Sequence, residues 1–242
     1  MPHPITPGPR LPLHDVSATR ALELAAAAGL PPHTLMQRAG LATARLALAL
    51  APHARRVWIA CGPGNNGGDG LEAAMHLQHW GLAPLVTWLG EPGHLPTDAE
   101  ASWQRARAAG VRFVEEPPDT LEASDLCIDA LLGIGAARAP SGRLAEWLGR
   151  LRRSPATLLC VDLPTGLDAD TGVDHGAAAV AIPAIPALAA PDPAPGPSGP
   201  RHTLSLLTLK PGLFTAQGRD ACGRIWFHDL GVAPAEPPTA WL

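Results

Sequence analysis

Residues 57–81 constrain the fold of this chain more than any other stretch: VWIACGPGNNGGDGLEAAMHLQHWG. Residues 57–61 are a short apolar run of strand length. Five glycines follow between Gly62 and Gly70. Leu71, Ala74, Met75 and Leu77 then recur at helical spacing. The order is strand, glycine loop, helix. The segment Gly62-Pro-Gly64-Asn-Asn-Gly67 fits the pattern G-x-G-x-x-G. Glycine lets the backbone turn tightly and lets a ligand approach with no Cβ in the way. The N–H groups at the start of the following helix favour an anion. An ordinary tight strand-to-helix turn fits the same pattern equally well, and no Gly-Lys-Ser/Thr follows to make a P-loop. More distinctive is the amide pair Asn65-Asn66 joined to Gly67-Gly68-Asp69-Gly70. Two amides and a carboxylate suit a ligand with several polar atoms, or a weakly held cation.

The rest of the chain repeats the alternation. Residues 16–28 read as a helix with Asp15 or Ser17 as its cap, ended by Gly29. Pro31-Pro32 opens a second helix that runs to about Ala51. After the glycine loop, strands are expected over 83–89, 111–114, 124–132 and 157–163. Helices are expected over 96–109 and 144–151. The run TLLCVDL is apolar enough to be buried on both faces. Alternating strands and helices predict an α/β fold with a parallel sheet covered on both sides. HTLSLLTL (202–209) and GRIWFH (223–228) read as two further strands. Residues 1–14 are Pro-rich and read as extended and flexible. Residues 177–200 are mainly Ala, Pro and Gly with no usable period, an insertion without assigned structure. One main domain is expected over 15–232, with 233–242 a tail or the start of a linker.

Composition excludes several functions. Of 242 residues, 18 are Lys or Arg and 22 Asp or Glu, for a net charge of −4. The basic residues are scattered, so neither nucleic acid nor anionic lipid is an expected partner. No apolar run reaches membrane-spanning length and no signal-peptide core is visible, so a soluble cytoplasmic protein is expected. Cys61, Cys127, Cys160 and Cys222 lack C-x-x-C spacing and read as buried thiols rather than zinc ligands. The histidines show no metal-binding pairing, and no nucleophile elbow is present.

In open parallel sheets ligands lie beyond the carboxyl ends of the strands. Three strand ends here carry polar signals. The first offers Asn65, Asn66 and Asp69. The fourth offers Asp129 and then Gly133-Ile134-Gly135. The fifth offers Asp162, Thr165, Asp168 and Asp170. Singly each reads as a helix cap or turn. DADTG looks like a calcium-loop fragment but is too short for an EF-hand. Together, three carboxylate-bearing strand ends on one edge exceed what capping requires. The oxygen donors Asn66, Asp129 and Thr165 suit a monovalent ion or a largely hydrated magnesium, not zinc or copper.

In this order and at these separations, GPGNNGGDGLEAAMHL, CIDALLGIG and VDLPTGLDADTG resemble the YjeF N-terminal domain family, the NAD(P)H-hydrate epimerases. HTLMQRAG (33–40) and TLSLLTLKPGLF (203–214) extend the resemblance over most of 15–232. It implies a Rossmann-like three-layer α/β/α sandwich with a mostly parallel sheet, often a homodimer. It also implies interconversion of the R and S forms of hydrated NADH and NADPH, with a bound potassium ion. By matching positions, substrate contacts fall on Asn65, Asn66, Gly67, Gly68, Asp69, Gly133, Ile134, Gly135, Ala136, Ala137, Arg138, Ala139 and Asp162. The ion falls to Asn66, Asp129 and Thr165, where many relatives have Ser. Asp162 is the expected acid–base group. The functional partner implied is an ADP- or ATP-dependent NAD(P)H-hydrate dehydratase, fused in many bacterial relatives; whether this chain continues into one is left open. The Pro/Ala-rich insertion and Arg201-His202 depart from the family pattern and put the substrate-side wall and the placement of Lys210 in question. Two other readings stand beside this one. One is a non-catalytic scaffold of the same fold. The other is an NAD-dependent oxidoreductase, weakened because no second strand ends in an acidic residue suited to a ribose.

Overall fold

The structure is a computed structural model and describes residues 1–8, 10–135, 138–177, 198–233 and 237–242. In chain order the strands and helices are β1 (His3–Pro4), β2 (Pro12–Leu13), α1 (Val16–Ala28), α2 (Thr34–Leu50), β3 (Val57–Cys61), α3 (Asn65–His79), β4 (Leu85–Trp88), α4 (Thr97–Ala108), β5 (Arg112–Phe113), β6 (Leu126–Ala130), α5 (Gly142–Arg153), β7 (Thr157–Val161), β8 (Arg201–Leu206), α6 (Gly218–Ala221), β9 (Arg224–His228) and β10 (Ala240–Trp241). The main sheet runs β1-β9-β8-β7-β6-β3-β4-β5. Every pairing from β9 to β5 is parallel, and β1 alone joins antiparallel. This is the α/β fold with a mostly parallel sheet that the alternation predicts.

Strand alternation sorts the core into two layers. Val57, Ile59 and Cys61 of β3, with Leu126, Ile128 and Ala130 of β6, pack beneath α2 and α3. The intervening Trp58, Ala60 and Cys127 pack against Trp147, Leu148 and Leu151 of α5. Trp58 is fully buried, and its indole N–H donates to Thr87 Oγ1 at 3.0 Å, so its polar tip is satisfied. All four cysteines are free and buried. Burial pushes the Cys127 and Cys222 thiols up to about 12, which leaves them as inert core residues.

The Pro-rich N-terminus is extended, but it is tied down at two points. His3 and Pro4 pair with Phe227 and Trp226 as an edge strand. Pro12 and Leu13 pair with Trp241 and Ala240, which also anchors the C-terminal residues. Of the two proposed caps of α1, Asp15 is the one used: its Oδ1 accepts from Ala18 N at 2.8 Å. Most of the Pro/Ala-rich stretch assigned to 177–200 lies outside the described residues.

The strand order places the site. From β3 the chain moves outward to β4 and β5, then crosses back to β6 on the other side of β3 and continues to β7, β8 and β9. Between β3 and β6 the winding reverses. That switch point opens a crevice beyond the carboxyl ends of the two strands.

Candidate active site

The glycine stretch is shorter as a loop than the sequence suggests. Only residues 62–64 form the turn, and α3 begins at Asn65. Asn65, Asn66 and Asp69 therefore stand on the first turns of a helix. The glycines within α3 exist for packing. A Cβ on Gly67 would lie 2.0 Å from the Gly62 carbonyl oxygen. One on Gly70 would lie 2.6 Å from Ala130 Cβ and 2.8 Å from Cys61 Sγ. Side chains there would push α3 off the sheet. The first N–H groups of a helix lack intrahelical acceptors, and here the helix starts beside the crevice, which Gly64, Asn65 and Asn66 line.

At the end of β6, Asp129 is 1% exposed. Its Oδ1 accepts from the Thr165 hydroxyl at 2.7 Å and from Leu131 N at 3.2 Å, and its Oδ2 accepts from Thr165 N at 3.0 Å. Burial raises the Asp129 pKa, and the Thr165 and Leu131 bonds oppose that rise. Arg152 holds the Thr165 carbonyl at 2.8 Å and forks onto both Asp174 oxygens. Thr165 Oγ1 also accepts from Leu132 N at 3.0 Å, which ties the β6 and β7 loops together. Thr165→Val removes the donor to Asp129 and the acceptor for Leu132. It is expected to lower the unfolding free energy by about 1–3 kcal/mol in urea melts.

At the end of β7, Asp162 takes a left-handed conformation, φ 67°. Asp tolerates that region better than a branched residue does. The turn aims its side chain back at the sheet end. Asp162 Oδ1 accepts from Lys210 Nζ and from Leu206 N. The other oxygen, Oδ2, faces Gly133: a Cβ there would meet Asp162 Oδ2 at 3.3 Å and Asn66 Oδ1 at 3.2 Å. Gly133 thus leaves room between Asn66 and Asp162. Asn66 Nδ2 is buried and makes no hydrogen bond among the described residues. It is a donor held ready inside the site.

These groups line one cavity of about 500 Å³, within the range of small-molecule sites. Its wall includes Asn65, Asn66, Asp69, Gly133, Ile134, Gly135 and Asp162. Gly67 and Gly68 are buried behind it, Gly68 against Met36 and Ala99. Arg138 and Ala139 are exposed and lie off this wall. Ala136 and Ala137 lie outside the described residues. The DADTG loop has a structural job. Asp168 Oδ1 accepts from Asp170 N, Thr171 N and the Thr171 hydroxyl, while Asp170 Oδ1 accepts from Val16 N at the start of α1. Burial works against it, but the Thr171 bonds hold the Asp168 carboxyl below its usual range.

Sequence reasoning did not assign Lys210 or the α1 side of the cavity. Lys210 is 1% exposed, and its ammonium also donates to the Leu206 carbonyl at 2.7 Å. The signal was available: Lys210 is the only lysine in a chain with 17 arginines, and it follows directly on an apolar strand. Opposite, Thr19 and Glu23 of α1, with His33 and Asp98, complete the wall. His33 Nδ1 and Asp98 Oδ1, both on this wall, are 2.6 Å apart.

The fold and site define a Rossmann-type α/β protein whose switch-point cavity is lined by carboxylates, amides and one ammonium. The family profile described as YjeF-related protein N-terminus matches residues 32–212. The chain belongs to this family. It is 36% identical over 225 residues to the NAD(P)H-hydrate epimerase of Bordetella pertussis, covering 92% of this chain and 90% of that protein. It is 34% identical over 212 residues to the bifunctional NAD(P)H-hydrate repair enzyme Nnr of Escherichia coli, covering 87% of this chain. It spans only 37% of that longer protein, and 33% and 39% of the similarly named enzymes of Leishmania braziliensis and Vibrio cholerae. The crystal structure of yeast ynu0, YNL200c, superposes with a TM-score of 0.66 at 19% identity, covering 96% of this chain and 99% of that one. That likeness shows the fold.

Proposed function

We propose that this chain is an NAD(P)H-hydrate epimerase, which interconverts the R and S forms of hydrated NADH and NADPH. The observation that carries the reading is the juxtaposition, around Gly133, of Asn66 and the free oxygen of Asp162. It sits in a cavity of substrate size, within a chain that aligns along nearly its full length with a protein of that name. The hydrated ring carries a hydroxyl on the carbon next to the ring nitrogen. The nitrogen lone pair can form a C=N bond as the C–O bond breaks, giving a planar iminium. Water can then return to either face. The enzyme must hold the ring, protonate the leaving oxygen and take a proton from the entering water. In this reading Asp162 Oδ2 transfers the proton, the first N–H groups of α3 and Asn65 take an anionic or polar part of the ligand, and Asn66 hydrogen-bonds to it.

A potassium ion fits the same loops. Among the described residues Asp129 is a buried carboxylate hydrogen-bonded to neutral donors, and Asn66 Oδ1 and Thr165 Oγ1 are neutral oxygens at the same strand ends. A weakly bound monovalent cation on Asn66, Asp129 and Thr165 would offset the buried charge and fix the two loops. The partner reading is a dehydratase that consumes one epimer, and a homodimer in the cytoplasm. No described helix is long and apolar enough to cross a membrane.

The test supplies hydrated NADH enriched in the R epimer, with and without potassium, and follows the epimer ratio by chromatography. The chain is expected to accelerate equilibration over the spontaneous rate, and more so with potassium. A folded chain that adds nothing to the spontaneous rate sinks the catalytic reading and leaves a binding role.

A further inference from the structure

We propose that the epimerisation uses two separate carboxyl groups, Asp69 as the acid and Asp162 as the base, with Lys210 as the positioning residue that sets this division. The inference rests on the epimerase reading and goes beyond it, because that reading asks only for a proton-transferring group.

The two side chains line the same cavity but come from different elements, Asp69 from α3 and Asp162 from the end of β7. Their partners differ sharply. Asp162 Oδ1 accepts from the Lys210 ammonium and from Leu206 N, so a cation lies against that carboxyl and one of its oxygens is fixed. Asp69 receives no hydrogen bond and no ion pair among the described residues. It shares the cavity wall with Asp162, Glu23 and Asp98, and Glu72 stands one turn on along α3; the Lys210 ammonium opposes the effect of these acidic groups on Asp69. Ionising both carboxyls would place two like charges in one poorly solvated cavity. Burial, then the Asp162 charge, accordingly raises the Asp69 pKa well above the usual carboxylate range. One carboxyl paired with an ammonium and a second without a partner in the same cavity is the arrangement that separate base and acid roles require.

The step balances as follows. Asp69 gives its proton to the leaving hydroxyl, the C–O bond breaks, and the nitrogen lone pair forms the iminium, releasing water. A water then forms the new C–O bond, the nitrogen regains its lone pair, and the proton lost by that water goes to Asp162. The pair holds one proton before and after, and transfer through solvent water returns it from Asp162 to Asp69. No oxidant or reductant is needed. The choice of lysine fits. An ammonium gives Asp162 a compact donor that also reaches the Leu206 carbonyl, where the broader guanidinium used elsewhere in this chain presents a planar fork.

The experiment measures epimerisation kinetics from pH 5 to 10, after subtracting the spontaneous rate, for the wild type, D69N, D162N, E23Q, K210M and K210R. Circular dichroism and thermal melts establish that each variant is folded. D69N is expected to lose at least about a hundredfold in kcat with KM within a few-fold, and to lose the high-pH limb that reports Asp69 giving up its proton. K210M is expected to lower kcat more than it raises KM, and K210R to recover part of the loss. If D69N keeps kcat and its high-pH limb while D162N is inactive, the two-carboxyl assignment is overturned and the epimerase reading stands. If E23Q rather than D69N removes the limb, the acid is Glu23 and the assignment is equally overturned. A wild type that adds nothing to the spontaneous rate removes the function itself.

Discussion

Asp162→Ala is expected to abolish enzymatic epimerisation, by about a hundredfold to ten-thousandfold in kcat, because it deletes the carboxyl oxygen that faces Gly133 and lines the cavity. The same substitution reaches the structure. Lys210 is 1% exposed and Asp162 is its ion-pair partner, so alanine leaves a buried ammonium with the Leu206 carbonyl as its remaining bond. Breaking one side of a buried pair costs about 3–5 kcal/mol, and the 13% exposure of Asp162 places this case at the lower end of that range. Alanine must also adopt φ 67°, which Asp and Asn tolerate better. Asp162→Asn separates the two effects. Its amide oxygen still accepts from Lys210, and its backbone preference matches, so its melting temperature should stay within a few degrees of wild type. Its activity should fall as far as that of the alanine variant. Activity in Asp162→Asn near that of wild type, measured by epimer ratio, would falsify the proton-transfer role.

The architecture was legible because its signals are periodic and local. Apolar runs of strand length alternating with helical patterns specify a parallel sheet, and the order of the three polar strand ends points to one edge of it. What the sequence did not show arises from pairing across large separations. Lys210 meets Asp162 at a distance of 48 residues along the chain, and Asp129 meets Thr165 at 36. A carboxylate and a lysine so far apart are indistinguishable in sequence from a cap and a surface residue. The start of α3 was misplaced for a related reason. Glycine normally argues against a helix interior, but here the space between helix and sheet excludes a Cβ, and close packing overrides the propensity. The Pro-rich start read as flexible for want of any partner visible in its own composition. Its partners are β9 and the last residues of the chain.

Arg105→Ala is expected to be strongly destabilising although it lies outside the site. Glu72 stands on α3 with its side chain fully buried, and α2 crosses directly above it at Gly40, where a Cβ would lie 2.0 Å from Glu72 Cβ. The Arg105 guanidinium on α4 supplies its charge partner, donating from Nε to Glu72 Oε1 at 2.6 Å. The second carboxylate oxygen, Oε2, makes no hydrogen bond among the described residues, so the Arg105 ion pair is the main compensation for that buried charge. Its loss leaves a charge buried among three helices, at a cost of about 3 kcal/mol, reduced from the fully buried case because Arg105 is 29% exposed. Urea denaturation should show a lower midpoint with an unchanged slope. Glu72→Gln in the same chain removes the orphaned charge, so the double variant should be more stable than Arg105→Ala alone, although it lacks both charges. A double variant no more stable than the single one would show that the loss came from packing of the arginine stem over α3 and not from the buried carboxylate. The distinction bears on function because α3 carries Asn65, Asn66 and Asp69 on its first turns. A helix loosened at Glu72 should also weaken ligand binding one turn away, whereas loss of stem packing on the α4 side should leave that end of α3 in place.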